Sequence, residues 1–311
     1  MLATLARPRW WVLSLAAFLV RGGVVLVIVP VVALPSIAGL AASLGPILVG
    51  FVFGEPSAAA LILTAAVVVA LAAWLAVSAN VGAWLDIALA AEAASDEDLV
   101  SPRPSVGRPP ARRAAAARLL AHLPTAVAVA FAASRIADAG YQEFIQPGDA
   151  AIPLILRVAG RAPEAVAALA ITTLVGEAAG GVAVRRLMLG ASVPAAVAHG
   201  FAKLAQPAGL VTFLLTDAVI AAVGLPFWAA VSMAWDDARI ALVDGATGTA
   251  AALPIGLFLV TWLAGLWILA VAVAWRATAW SAEVFRTAPA RRLVRQAEVT
   301  SLTAQTPGEG I

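Results

Sequence analysis

Long uninterrupted runs of apolar residues, rather than alternating apolar and polar positions, dominate this sequence. Crossing the hydrocarbon core of a bilayer takes about 20 residues of helix, and six runs reach that length. They are Trp10–Leu34, Ala58–Leu89, Leu120–Ala139, Pro163–Val184, Ala208–Trp235 and Ala251–Trp275. The pattern predicts an all-α fold, a polytopic transmembrane helical bundle with six spans.

The composition supports lipid as the solvent of this chain. Of its 311 residues, 62% are hydrophobic and 12% are charged. A soluble domain has about 45–50% apolar and about 25% charged residues, so a soluble chain of this composition could not cover its own surface. The net charge is only +2, which gives no support to nucleic-acid binding, and the absence of cysteine excludes disulfides and thiolate metal sites.

The placement of arginines predicts the orientation. With six spans, the arginine-rich segments all fall on one side of the membrane, and an excess of Lys and Arg marks the cytoplasmic side. These residues are Arg7, Arg9, Arg103, Arg108, Arg112, Arg113, Arg118, Arg185, Arg186, Lys203, Arg276, Arg286, Arg291, Arg292 and Arg295. We therefore expect cytoplasmic N- and C-termini, in the inner (plasma) membrane of a bacterium. The bacterial assignment rests only on the richness in Ala, Val and Arg.

One further apolar segment, Pro35–Gly54, follows the first span. A crossing there would put the N-terminus and the arginines of loop 94–118 on opposite sides of the membrane. Its prolines and glycines are typical of broken helix, which is tolerated at membrane depth where it is buried against protein. The segment is predicted to be re-entrant or to lie at the outer surface.

The predicted domain organisation is simple. Residues 1–295 form a single transmembrane domain that includes the cytoplasmic loop 94–118, whose first part is rich in proline, serine and acidic residues. Residues 296–311 form a polar tail that we expect to be disordered and cytoplasmic.

Several polar residues lie within the predicted spans at similar depth: Arg21, Asp217, Glu177, Asp86 and Asn80. An unpaired charge inside a membrane costs at least about 2.5–3.5 kcal/mol, so these groups are expected to meet. We predict that Arg21 lies within salt-bridge reach of Asp217 or Glu177. The layer is then either a site for an ion, a proton or a lipid headgroup, or a buried ion pair that fixes helix register.

Small residues accompany two of these charges. Gly176 and Gly180 form a G-x-x-x-G step around Glu177, and Gly22 and Gly23 follow Arg21. Such steps let two helices approach closely, so all four glycines are predicted to serve helix packing. The same flat face could also present Glu177 to a partner or ligand.

Motifs for catalysis or metal binding are absent from the sequence. It contains no P-loop, no G-x-S-x-G nucleophile elbow and no H-E-x-x-H motif. The two histidines, His122 and His199, have no ligand spacing beside them. No catalytic residue, no metal and no cofactor is therefore predicted. Tryptophans at span ends, Trp10 and Trp280 among them, are predicted to be interfacial anchors.

The segment Arg185-Arg186-Leu187-Met188-Leu189-Gly190, followed by the amphipathic stretch Ser192–Ala205 and a span starting at Pro207, resembles part of one protein family. The family comprises uncharacterised bacterial polytopic membrane proteins related to the membrane domain of glycerophosphodiester phosphodiesterases. The resemblance implies a membrane-domain role and carries no catalytic residues.

Three functional interpretations follow. The first is a non-enzymatic accessory or membrane-organising module, the second a small transporter or channel that uses the Arg/Asp/Glu layer, and the third a membrane-embedded enzyme. The expected partners are the lipid bilayer and either another membrane protein or further copies of the chain.

Overall fold

The computed structural model describes residues 2–28, 57–96, 99–100, 106–146, 148, 154–245 and 247–287. Every regular element in this part of the chain is a helix. In chain order these are α1 Leu2–Leu5, α2 Pro8–Phe18, a π-helical turn Leu19–Gly23, α3 Val24–Ile28, α4 Ala58–Ser95, α5 Ala111–Ala121, α6 Leu123–Ile145, α7 Leu154–Arg161, α8 Pro163–Met188, α9 Val193–Leu204, α10 Pro207–Val243 and α11 Thr249–Arg286.

Four of these helices, α4, α8, α10 and α11, are long and apolar enough to cross a membrane. Helix α5 and residues Leu123–Glu143 of α6 bend by 47° at their junction and together can form a fifth span. The predicted all-α, multi-pass architecture is confirmed, but six spans are not. The first predicted span, Trp10–Leu34, is described only as far as Ile28, and Pro35–Gly54 and the tail 296–311 lie outside the described residues.

The helix that begins at Pro8 is interrupted at the π-helical turn Leu19–Gly23, where Gly22 has a φ of 109°. Only glycine adopts that backbone region at little cost. A Cβ added to Gly22 would meet no atom within 4 Å, whereas one added to Gly23 would collide with the Phe18 ring of the same segment. The prediction that these two glycines admit a neighbouring helix is therefore corrected: they allow a local kink and make room for Phe18.

The tightly packed core lies at one end of the molecule. Residues 61–77 of α4 are exposed on every face, whereas most residues from Ser78 to Ala94 are buried or half-buried. Two clusters form this core, and they join α4 to α5, α8, α9 and the last turns of α11. At 38 residues, α4 is about 57 Å long, well beyond the roughly 30 Å of a hydrocarbon core. The membrane can therefore surround only part of each long helix.

Exposed large apolar side chains mark the part of each long helix that the membrane can surround. On the described helices this apolar band stops at Trp84 of α4, starts at Leu119 of α5 and stops at Ile268 of α11. Trp84 is 60% exposed, which suits a residue at the interface between lipid and water. Trp10 and Trp280 are each only 3% exposed, so the prediction that they are interfacial anchors is wrong; both belong to the core.

The predicted cytoplasmic loop 94–118 ends in the helix α5. Its alanines, Ala114, Ala115 and Ala117, are almost fully buried because their small side chains let α5 pack closely on α4 and α8. Backbone groups fix the described residues before it: the Gly107 N–H donates to the Met188 carbonyl at 2.8 Å. This packing brings Arg118 of α5 into the interior.

Candidate functional site: a buried charge network

Asp86 is the centre of a buried charge network at the packed end of the molecule. Its Oδ2 lies 2.7 Å from Arg21 Nη1 and 2.5 Å from Arg118 Nη2. The stem of Arg21 reaches the carboxylate across Gly82, where an added Cβ would lie 2.9 Å from Arg21 Cγ. The missing side chain at Gly82 therefore gives Arg21 its path from the kinked first segment to α4.

Glu177 closes the network into a ring. Its Oε2 lies 3.1 Å from Arg118 Nη1 and 3.6 Å from Arg21 Nη2. The prediction that Arg21 is within salt-bridge reach of Glu177 is confirmed. We call Arg21, Asp86, Arg118 and Glu177 the charge ring: two guanidinium groups alternate with two carboxylates, and their formal charges cancel.

His122 extends the ring at the bend between α5 and α6. Its Nε2 lies 3.5 Å from Glu177 Oε1, and its Nδ1 lies 2.9 Å from the Arg118 carbonyl. His122 thus connects the carboxylate of α8 to the backbone at the end of α5.

The glycines around Glu177 form a helix contact, as predicted. A Cβ at Gly176 would lie 2.9 Å from His122 Cδ2, and one at Gly180 would lie 3.3 Å from Arg118 Cγ. The two glycines thus let α8 approach the α5–α6 bend, and this approach places Glu177 beside Arg118 and His122. These contacts agree with the predicted packing role, and Glu177 contacts Arg118 and His122 of the same chain.

Asp217 does not join the charge ring. Its Oδ1 lies 3.1 Å from Arg276 Nη1, because α10 packs along α11 and brings these two residues together. Neither carboxylate oxygen accepts a hydrogen bond of good geometry, and both oxygens are buried. The close contact is therefore an ion pair without hydrogen-bond alignment. The predicted ion pair between Arg21 and Asp217 is wrong, because Asp217 pairs with Arg276.

Arg185 is a buried cation that neutral groups hold in place. It is 3% exposed and donates to Ser281 Oγ at 2.9 Å, to the Gly181 carbonyl at 2.7 Å and to the Ala277 carbonyl at 2.5 Å. Since Ser281 and Ala277 belong to α11, Arg185 links that helix to α8.

Asn80 makes a local contact instead of joining the network. It is exposed, and its side-chain amide donates to the Ala76 carbonyl at 2.9 Å, one turn earlier in the same helix. The prediction that Asn80 belongs to the polar layer is corrected, because its side chain bonds its own backbone.

The charge ring has a closed side and a more open edge. The side chains of Asp86 and Arg118 are each 8% exposed, whereas those of Arg21, Glu177 and His122 are 17%, 25% and 27% exposed. Asp86 lies two residues beyond Trp84, and Arg118 immediately precedes Leu119, so both flank the limit of the apolar band. The ring therefore lies level with the end of the apolar band.

Four participants were not predicted: Arg118, Arg185, Arg276 and His122. The positive-inside rule assigns the three arginines to the cytoplasmic side, and the sequence around His122 has no ligand spacing. Arg118 carried a usable signal, since it stands between the apolar stretches 114–117 and 119–121. An isolated charge in such surroundings indicates a buried partner.

Within the described ranges, no three His, Asp and Glu residues are grouped so that they could hold a metal ion. The second histidine, His199 of α9, lies outside the network. Burial lowers the pKa of its imidazole, and the nearby Arg186 and Lys203 lower it further.

Comparisons with known proteins add no relationship: no protein-family model, no curated protein and no solved structure matches the chain. The structure describes an all-α, multi-pass membrane protein with buried salt bridges.

Proposed function

We propose that the protein is a non-enzymatic accessory or membrane-organising module whose charge network holds the helices in register. The closed ring of Arg21, Asp86, Arg118 and Glu177 is the observation that supports this function. Each carboxylate of the ring already contacts two guanidinium groups, and the ring joins the first segment, α4, α5 and α8.

A closed ring of buried ion pairs suits a fixed arrangement of helices better than a transport cycle. Breaking a buried ion pair by removing one partner is costly, so its members resist separation. A transport cycle would have to part these charges repeatedly. The neutral bonding of Arg185 also favours a fixed arrangement, because its three donors engage α8 and α11 at once.

The proposed location is a bacterial inner membrane, with the packed end and both termini in the cytoplasm. The basic residues of that end support this orientation, and a membrane-domain role agrees with the resemblance of Arg185–Pro207 to uncharacterised bacterial polytopic membrane proteins. Cysteines placed at Ser105 and Thr247 test it with an impermeant thiol reagent. Labelling in intact cells at Thr247 alone is expected, and labelling at Ser105 alone would reverse the orientation.

A small transporter or channel is the second candidate, and one observation favours it. Asp217 has two buried oxygens that accept no hydrogen bond, and the exposed edge of the ring contains Glu177 and His122. Buried carboxylates within membrane spans are common in proton and ion pathways. In a transporter, the path of the ion or proton would run past Asp217, Glu177 and His122.

Flux through reconstituted protein separates the two functions. We expect liposomes containing the protein, given a potassium or proton gradient and an interior pH dye, to show the same leak as protein-free liposomes. Glu177→Gln and Asp217→Asn should leave that leak unchanged, because neither carboxylate lies on a transport path under the accessory function.

The control is Glu164→Gln, which neutralises a half-exposed carboxylate that pairs with Arg135 at the opposite end of α8. A protein-dependent flux that Glu177→Gln or Asp217→Asn abolishes and Glu164→Gln preserves would refute the accessory function in favour of transport.

A further inference from the structure

The outward face of α5 combines basic and apolar residues in a definite order. Arg112, Ala116 and Leu119 follow each other at spacings of four and three, so they share one side of α5, and Leu123 follows at the start of α6. Arg112 is exposed, Leu119 is 55% exposed and Leu123 is 56% exposed. The face thus changes from basic to apolar within three turns.

The apolar part of this face continues into the span. Leu120 of α5 is 40% exposed, and Val127 and Phe131 of α6 are 72% and 46% exposed. The change from arginine to leucine occurs at the limit of the apolar band. Lipid headgroups would therefore lie beside Arg112 and the acyl chains beside Leu119 and Leu123.

The arginines at the start of α5 are free to bind an external anion. Arg112 and Arg113 are both exposed, and neither forms an ion pair with a carboxylate among the described residues. Arg113 makes one weak contact, from Nη2 to the Ala191 carbonyl at 3.5 Å. Arg108, four residues before Arg112, is also exposed and adds a third positive charge.

We propose that this face, made of Arg108, Arg112, Arg113, Leu119 and Leu123, is a binding surface for anionic phospholipid. The guanidinium groups bind the phosphate of the headgroup, and the leucines contact the first methylenes of the acyl chains. Each basic residue near an anionic membrane surface raises the affinity about fivefold. Zwitterionic lipid lacks the net charge that gives this gain.

This inference deepens the proposed function by naming the lipid class that a membrane-organising module would gather. It rests on that function for its biological meaning, but its observations are separate, since none of these five residues belongs to the charge ring. Loss of lipid selectivity and appearance of transport flux are therefore distinguishable results.

Lipid titration of the full-length protein tests the surface. Phosphatidylglycerol or phosphatidylcholine is added to protein in neutral detergent, and bound lipid is counted by native mass spectrometry. The protein should bind phosphatidylglycerol more tightly than phosphatidylcholine. The double variant Arg112→Gln/Arg113→Gln should weaken phosphatidylglycerol binding by about 25-fold, with phosphatidylcholine binding unchanged.

The matched control is Arg135→Gln/Arg239→Gln, which removes the same charge from arginines already paired with Glu164 and Asp236. It should retain the selectivity. Equal loss in both double variants, or no loss in either, would overturn the proposal. Competition by inorganic phosphate at millimolar concentration would also overturn it, since it would indicate a phosphate site instead of a lipid surface.

Discussion

Replacing Asp86 by leucine should lower the free energy of unfolding in detergent by about 3–5 kcal/mol, the cost of leaving buried charge without its partner. Asp86 contacts both Arg21 and Arg118, so its loss leaves two guanidinium groups beside each other with only Glu177 to share. Reversible unfolding in a denaturing detergent, followed by helical circular dichroism, measures the change. Asp86→Asn keeps the shape and an acceptor oxygen, and it should isolate the contribution of charge.

The control for this loss is Asp236→Leu on α10. Asp236 is also a helical aspartate next to an arginine, but its side chain is 62% exposed and that of Arg239 is 54% exposed. An exposed pair contributes about 0–1 kcal/mol, so the variant should unfold almost like the parent protein. Similar losses at Asp86 and Asp236 would show that the charge ring gives no special stabilisation.

The second large effect is expected at the pair formed by Asp217 and Arg276. Asp217→Leu and Arg276→Leu should each cost about 3 kcal/mol, because each leaves one charge in a mostly buried position. The double variant should recover most of that loss. Two leucines can pack against each other there, and the pair they replace has no aligned hydrogen bond to lose. The same unfolding measurement applies.

Additive losses in the Asp217 and Arg276 double variant would contradict this pairing. The discriminating control is Arg276→Leu combined with Asp86→Leu. These two residues share no ion pair in the described structure, and distant sites normally add within about 0.5 kcal/mol. Recovery in the control would show that the two groups of charges form a single network.

Much of the architecture could be predicted from hydrophobic run length alone. Four of the predicted spans coincide with α4, α8, α10 and α11, because about 20 apolar residues have few stable states other than a membrane helix. The break at Gly22 could not be predicted in the same way. A Gly-Gly pair serves close packing and backbone kinks alike, and only the φ of 109° and the adjacent Phe18 ring distinguish them.

The acids of the candidate site and Arg21 were predicted, but its other bases were not. The cost of buried charge correctly selected Arg21, Asp86, Glu177 and Asp217, since these interrupt apolar runs. Arg118 and Arg276 were assigned to the cytoplasmic side by the same charge asymmetry that predicts orientation. Linear depth along the helix correctly indicated Glu177 as a neighbour of Arg21 but not Asp86, which the long Arg21 side chain reaches across Gly82.

Mutual stabilisation of the ring charges is tested most directly by the coupling energy between Arg21 and Asp86. Unfolding free energies of the parent protein, Arg21→Leu, Asp86→Leu and the double variant form one cycle, and a second cycle replaces Asp86 by Asp217. We predict that the double variant with Asp86 loses at least about 1.5 kcal/mol less than the sum of the two single losses, whereas the cycle with Asp217 is additive within about 0.5 kcal/mol. Additivity in the first cycle, or strong coupling in the second, would contradict the account.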